Sequence, residues 1–260
     1  PPGFDPRIPG LEYAGRIDAV GDRVRLHKVG DRVMGLVPGA AYAEYVVSTE
    51  REVIPAPAGL DAVHAAALPE DFLTAYRALY IEGGLKPGQW AVIRPATSGV
   101  GLAGVQLVKA LGGRCIGTSR NVERLRAAEE QGLDVALVDS GDGVASQVME
   151  ATGGEGAAVV FDMLGAKALG DNMSALRLEG SVVIIGLLTG AKSDINLGQL
   201  LMRRLRVRAM TMRAQPLEER IRIAQIFSDR LAPLFESGQL KPVLSLKHPF
   251  NDAPGAHAAM

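Results

Sequence analysis

The chain has 260 residues, with 28 Lys and Arg against 29 Asp and Glu and a net charge of −1. That balance supplies no cationic surface for nucleic acid or an anionic membrane, so a small molecule is the expected partner. These residues contain no uninterrupted apolar run of about 18. The single cysteine, Cys115, excludes an internal disulfide and a cysteine-built metal site, which fits a reducing, cytoplasmic setting.

Residues 1–56 are rich in glycine and proline, with short β-like runs at 11–14, 16–20, 31–37 and 42–47 and no long helical period. Pro55, Pro57 and Gly59 interrupt the pattern. Two helical stretches follow, at 61–68 and at 72–82, the second stopped by Gly83 and Gly84. Lys86, Pro87 and Gly88 then turn the chain into an apolar run at 90–93. From there strands and helices alternate. Strands are expected at 90–93, 114–118, 135–138, 157–161, 181–185 and 205–210. Asn121 caps a helix closed by Gly132, and 166–176 reads as another. Cys115 falls within the second of these strands, as a buried and inert thiol. This alternation predicts an α/β fold with a doubly wound parallel sheet in the order 3-2-1-4-5-6. Residues 218–236 carry Ile221, Ile223, Ile226, Phe227, Leu231, Leu234 and Phe235 at helical spacing, with Pro233 as a kink, and 241–250 reverts to a strand-like run. The resulting division is 1–67, 68–213 and 214–260. The last part is expected to close back onto the first, with a ligand cleft between them.

The chemistry-bearing stretch is 90–120. A strand leads into Gly99, Gly101 and Gly104, and a helix follows, which is the context a dinucleotide-binding turn needs. Gly99 allows the tight turn, Gly101 admits a pyrophosphate close to the backbone, and Gly104 lets helix and strand pack closely. The free amides near Val100 face the phosphates. About 20 residues after the first glycine, an NAD-binding chain places a carboxylate for the ribose 2′-hydroxyl. Here Ser119, Arg120 and Asn121 stand instead. Arg120 and Arg124 suit a 2′-phosphate, so NADPH is favoured over NADH; the alternative is that both arginines are a solvated helix start.

Several motifs then carry a resemblance. Residues 9–15 (PGLEYAG), 29–33 (VGDRV), 66–69 (AALP) with 73–76 (LTAY), and 98–101 (SGVG) are similar to those of the zinc-free, zeta-crystallin-like quinone oxidoreductases of the medium-chain dehydrogenase/reductase superfamily. Residues 185–190 (IGLLTG) and 211–213 (TMR) resemble the branch with stress-inducible quinone reductases. The resemblance covers nearly the whole chain. It implies a Rossmann doubly wound sheet beside a partial GroES-like β-rich catalytic domain. It also implies a stretch before Pro1, holding several substrate-pocket groups, and a short tail after Met260. Zinc-dependent relatives carry Gly-His-Glu where this chain has Gly10, Leu11 and Glu12. Leu11 is no ligand, a structural zinc lobe needs four cysteines, and His27, His64, His248 and His257 lack metal spacing, so no metal is expected. The resemblance places Thr74, Ser98, Gly186 and Leu187 at the cofactor. It also places Tyr42 in the quinone pocket, although that aromatic pattern equally suits sheet packing. Asp162 ends a strand and either faces the cleft or caps the next helix. Two positions depart from the family. Asp139 stands where relatives often have a tyrosine that helps hold the 2′-phosphate, and Arg94 with Pro95 replaces a blander pair.

The function so implied is hydride transfer from NADPH to a quinone, needing no metal and no strong acid. An enoyl-thioester or 2-alkenal reductase would use the same cofactor site on an activated alkene. A non-catalytic nucleotide-binding or structural protein is the rival from another class. Relatives pair the edge formed by strand six across a two-fold axis, so the resemblance implies a homodimer, while the charge alternation at 204–209 equally fits a protected monomer edge.

Overall fold

A computed structural model describes residues 7–141 and 143–259. Three short strands, β1 (Glu12–Arg16), β2 (Arg32–Leu36) and β3 (Ile54–Pro55), form an antiparallel sheet in that order, with Ala14 opposite Met34 and Met34 opposite Ile54. Two helices follow, α1 (Ala62–Ala66) and α2 (Pro69–Tyr76). Asp61 caps α1 by accepting the His64 N–H at 2.8 Å, and Pro69 occupies the first turn of α2, where its missing N–H costs nothing.

The second sheet is parallel and six-stranded. It comprises β4 (Trp90–Arg94), β5 (Arg114–Ser119), β6 (Val135–Val138), β7 (Ala157–Asp162), β8 (Leu176–Ile184) and β9 (Arg206–Ala209), in the order β6-β5-β4-β7-β8-β9. Counted along the chain this is 3-2-1-4-5-6, as expected. The helices are α3 (Gly99–Ala110), α4 (Val122–Glu130), α5 (Val144–Ala151), α6 (Leu169–Ser174) and α7 (Leu197–Met202). Strand periodicity of two divides β4 between two cores. Ala91 and Ile93 pack with Leu73 of α2, Leu107 of α3 and Leu125 of α4. Trp90 and Val92 pack with Val148 of α5 and Met173 of α6 on the opposite face. Both faces of the sheet are therefore covered, which is why its central strands read as unbroken apolar runs.

The C-terminal part consists of α8 (Leu217–Ile226), a wider-wound stretch at 227–231, α9 (Ala232–Glu236) and α10 (Ala253–Ala259). Phe227 and Phe235 stack at 5.7 Å, and Phe235 meets Phe72 of α2 edge-on at 4.8 Å. Met34 and Ile54 of the small sheet belong to the same core. Arg220 of α8 bonds Glu52 at 2.6 Å, with Glu52 only 4% exposed, so the residues after 214 pack on the first unit as well as on α2.

Some expected elements differ. Residues 16–20, 42–47 and 241–250 form no strand apart from Arg16 itself. Composition alone cannot make a strand, because the ladder needs a neighbour. At Lys241 the backbone is instead held by the buried side chain of Gln106, which accepts its N–H at 2.8 Å and donates to its carbonyl at 3.1 Å. Pro242 and Pro249 further limit pairing. The helix expected at 166–176 ends at Ser174, because Leu176 already pairs with Ala157 and begins β8. The helix expected to begin at 72 starts at Pro69 and continues through 77–82 in wider turns. Pro233 falls in the first turn of α9, just after the wide stretch at 227–231.

Candidate cofactor-binding site

β4 is buried along its length and delivers the chain at Arg94 to a turn that opens α3. Ser98 caps that helix, its Oγ accepting the Gly101 N–H at 3.0 Å. Among the described residues the amides of Gly99 and Val100 then have no partner. They stand at the positive end of a 12-residue helix, an arrangement that stabilises an anion.

The glycines act partly as expected. A Cβ on Gly104 would lie 3.0 Å from Ile93 Cδ1 and 3.4 Å from the Phe161 ring, so its absence lets α3 pack closely on β4 and β7. Gly101 has a different reason from the one expected. Its Cβ would lie 2.4 Å from the Pro95 carbonyl oxygen and 2.9 Å from the carbonyl carbon and oxygen of Ala96. The space a side chain needs is filled by the protein's own backbone before any pyrophosphate arrives. At Gly99 the corresponding neighbour is Asp71, with Oδ2 at 2.4 Å from the Cβ position.

Beside this turn, at the C-terminal ends of β4, β5 and β6, lies an open cavity of about 890 Å³. Its lining includes Ser98, Ser119, Arg120, Arg124, Asp139 and Lys167. Asn121 accepts the Arg124 N–H at 3.0 Å, fixing the start of α4 and with it the placement of Arg124. Ser119 Oγ lies 3.1 Å from Thr97 Oγ1 and accepts the Asn121 N–H at 3.1 Å, so the end of β5 is tied to the turn before α3. Lys167 follows β7, and its backbone N–H donates to Thr189 Oγ1 at 3.1 Å; Leu188 and Thr189 reach the same cavity from the loop after β8.

Asp139 and Arg94, the two departures from the family pattern, are partners. Arg94 is 1% exposed, and its Nε and Nη2 donate to Asp139 at 2.8 and 3.2 Å. Nη1 donates to Asp171 Oδ2 at 2.7 Å and to Asn172 Oδ1 at 2.8 Å. Although burial opposes ionisation, the hydrogen bonds and charge of Arg94 hold the Asp139 carboxyl below its usual range.

Ser98, Ser119, Arg120 and Arg124 are thus brought together, with Gly99, Val100 and Gly101 at the adjoining helix start. Thr74, Gly186, Leu187 and Tyr42 do not line this cavity. Thr74 is buried in α2, with a hydroxyl that has no partner among the described residues. Gly186 passes so close to the loop after β7 that a Cβ would be 2.7 Å from the Met163 carbonyl oxygen, and Leu187 beyond it is exposed. Tyr42 is partly exposed and its hydroxyl lies 3.1 Å from His257 Nε2. Asp162 neither lines the cavity nor caps the next helix, whose first turn has no side-chain cap; it braces the loop after β7. Its oxygens accept the Leu164 and Gly165 N–H groups at 3.0 and 2.9 Å, and it is wholly buried.

Toward the small sheet, three carboxyls gather at the start of α2. Glu12 Oε2 accepts the Glu70 N–H at 2.9 Å, yet burial, with the charges of Asp71 and Glu70, pushes Glu12 up to about 7. Burial pushes Asp71 up to about 6 and raises Glu70 too. Cys115 is buried, and burial raises its thiol. Each histidine has a protein partner: His27 the Glu50 carbonyl, His64 Asp61, His248 Asp252 and His257 Tyr42. Among the described residues no group of three or more His, Cys, Asp or Glu is arranged to hold a metal. No described helix is long and apolar enough to cross a membrane.

Lys167, Asp71 and the role of Arg94 escape a reading of the sequence alone. For Lys167 a signal exists: a cation just after the fourth strand of a doubly wound sheet falls at the carboxyl end, where ligands bind. For Asp71 and Arg94 there is none, since both depend on what lies opposite.

Family models for a zinc-binding dehydrogenase and for an alcohol dehydrogenase GroES-like domain match residues 99–227 and 2–58. The chain is similar to the quinone oxidoreductase of Lama guanicoe, 31% identical over 254 residues covering 97% of this chain and 75% of that relative. Among solved structures it is similar to the quinone oxidoreductase of Pseudomonas syringae pv. Tomato DC3000, with a TM-score of 0.87 and 32% identity over 99% of this chain and 79% of the other. It is also similar to Escherichia coli quinone oxidoreductase complexed with NADPH, with a TM-score of 0.85 and 29% identity over 96% of this chain and 77% of the other.

Proposed function

This chain belongs to the zinc-free, quinone-oxidoreductase-like family of the medium-chain dehydrogenase/reductase superfamily, and on that premise we propose that it reduces quinones with NADPH, without a metal. The observation that carries the cofactor reading is the cavity beside α3, where Arg120, Arg124 and Lys167 surround a site next to free helix amides. The donor set fits. Unpaired amides at a helix start suit a pyrophosphate, and guanidinium groups suit a terminal phosphate. The Thr74 hydroxyl, unpartnered among the described residues, is buried outside this cavity.

When bound, NADPH supplies the hydride. The chain's own residues bind and orient. Gly99 and Val100 donate amides, Arg120, Arg124 and Lys167 balance negative charge, and Leu188 and Thr189, in the loop just after Gly186 and Leu187, form the far wall. Glu12, pushed up to about 7, is a carboxyl still substantially protonated near neutrality, while Asp71, pushed up to about 6, holds its proton only below that, and a quinone can also take its protons from water. Tyr42 and the residues of 1–67 belong to the substrate side in this reading, and 214–260 closes onto them.

The protein is proposed to act as a homodimer through β9. Arg206, Val207, Arg208 and Ala209 are all exposed along the sheet edge, and unpaired edges invite pairing.

Steady-state assays with a 1,2-quinone, a 1,4-quinone and a crotonyl thioester test the function. Quinone turnover with NADPH is expected. Turnover of the thioester alone would move the assignment to an alkene reductase. NADPH binding with no turnover of any acceptor would make this a nucleotide-binding protein without catalysis.

A further inference from the structure

A carboxylate at the ribose end of a dinucleotide site ordinarily favours NADH, because it accepts the 2′-hydroxyl and repels a 2′-phosphate. Asp139 is a carboxylate at that end of the cavity, although it follows the strand after the one that ordinarily supplies it. It follows β6, its backbone N–H donates to the Ser119 carbonyl at 2.9 Å, and it lines the cavity with Arg120, Asn121 and Arg124. On position alone it argues against the cofactor proposed above.

Its oxygens are, however, already engaged. Oδ2 accepts from Arg94 Nε at 2.8 Å and from Thr118 Oγ1 at 3.4 Å. Oδ1 accepts from Arg94 Nη2 at 3.2 Å and from the Gly141 N–H at 3.0 Å. A carboxylate has about four lone-pair sites, and four donors occupy them here. The donor on both oxygens is one guanidinium in the bidentate geometry that binds carboxylates most firmly. Arg94 is itself held from behind. Its Nη1 is shared by Asp171 and Asn172, and the second oxygen of Asp171 accepts the Ala145 N–H at 3.1 Å. With Arg94 fixed from both sides, a ribose hydroxyl reaching Asp139 would have to displace a buried, charge-assisted pair.

We propose that Arg94 is a specificity-determining positioning residue: by occupying the Asp139 carboxylate it removes the acceptor that NADH would use and leaves Arg120, Arg124 and Lys167 to receive a 2′-phosphate. The inference deepens the cofactor reading and rests on it for the phosphate. Its central claim, that Asp139 does not hold the ribose, can be tested with NADH alone. Arg94 and Asp139 then form one unit, which accounts for two departures from the family pattern at once.

The experiment measures NADPH and NADH dissociation constants by fluorescence titration at two salt concentrations, on the wild type, Asp139→Asn, Arg94→Gln and the double variant, with thermal melts to verify folding. In Asp139→Asn the NADH affinity is expected to stay within about twofold, because the carboxylate is not in use. In Arg94→Gln the freed carboxylate should weaken NADPH by about tenfold or more, reduce its salt dependence and leave NADH equal or tighter. The double variant should recover most of the NADPH affinity, which a purely structural role for Arg94 would not give. A fall of about tenfold in NADH affinity in Asp139→Asn would show Asp139 holding the ribose and overturn the proposal. If Arg94→Gln does not fold, the Asp139→Asn result decides it by itself. Equal wild-type affinities for the two cofactors would instead refute the NADPH reading, an outcome separate from the NADH response of Asp139→Asn.

Discussion

Gly101→Ala separates two reasons for a glycine at the dinucleotide turn. The added methyl would sit 2.4 Å from the Pro95 carbonyl oxygen and 2.9 Å from the carbonyl atoms of Ala96. All three are backbone atoms, so no side-chain rotation relieves the contact; α3 or the turn at 95–98 must move. Overpacking of this kind costs about 1–3 kcal/mol, while alanine's better helix propensity returns up to about 1 kcal/mol. The net expectation is a destabilisation of about 1–2 kcal/mol. Displacing the turn also moves the Ser98 cap on Gly101 and the free amides beside it, so NADPH affinity should fall as well. Urea denaturation reads the first effect and fluorescence titration the second. Gly104→Ala is the comparison. Its Cβ meets side chains at 3.0 Å and beyond, which can adjust, so stability should fall less and cofactor binding should survive. A Gly101→Ala protein of wild-type stability that had lost cofactor binding would refute the steric argument and return the glycine to pyrophosphate approach alone.

Three further outcomes are expected. Arg120→Ala should weaken NADPH by about 1.5–3 kcal/mol, the range for a hydrogen bond to a charged group, while leaving NADH unchanged; equal losses for both cofactors would count against the 2′-phosphate role. Glu12, raised from 4.5 to about 7, stays protonated in the fold where the unfolded chain is ionised, so its stabilising share is complete below pH 4.5 and disappears as the pH rises through about 7. Glu12→Gln keeps an acceptor for the Glu70 N–H and removes the titration, so between pH 5 and 8 it should flatten the fall in urea stability by at most about 3 kcal/mol; parallel pH profiles would show that Glu12 does not carry the shift. Val207→Pro tests assembly. The Met210 N–H donates to the Ile184 carbonyl, so by alternation Arg206 and Arg208 face β8 and the Val207 amide faces the free edge. Light scattering should then show a wild-type dimer and a folded monomeric variant; a monomeric wild type, or a dimer that tolerates the proline, would exclude this edge.

The nucleotide-binding fold was legible because its determinants are local. Trp90 to Ile93 is apolar without interruption, Ser98 caps at the right offset, Gly101 and Gly104 fall where a side chain has no room, and Asn121 and Gly132 bracket α4. Strand order followed from the alternation itself, since right-handed crossovers leave few ways to stack these units. The cation pair Arg120 and Arg124 could be found by counting from the first glycine. Tertiary structure decided the rest, wherever a residue's meaning depends on what stands opposite. The runs at 42–47 and 241–250 look like strands and have no ladder to join. Asp162 fits neither of its two readings, because its oxygens hold the Leu164 and Gly165 amides of the loop after β7. Asp139 and Arg94 lie 45 residues apart, one just after β6 and the other at the end of β4, and in the sequence each was merely an exception. Only the sheet brings them together, because a charge in a low-dielectric interior takes its role from its partner and not from its neighbours along the chain.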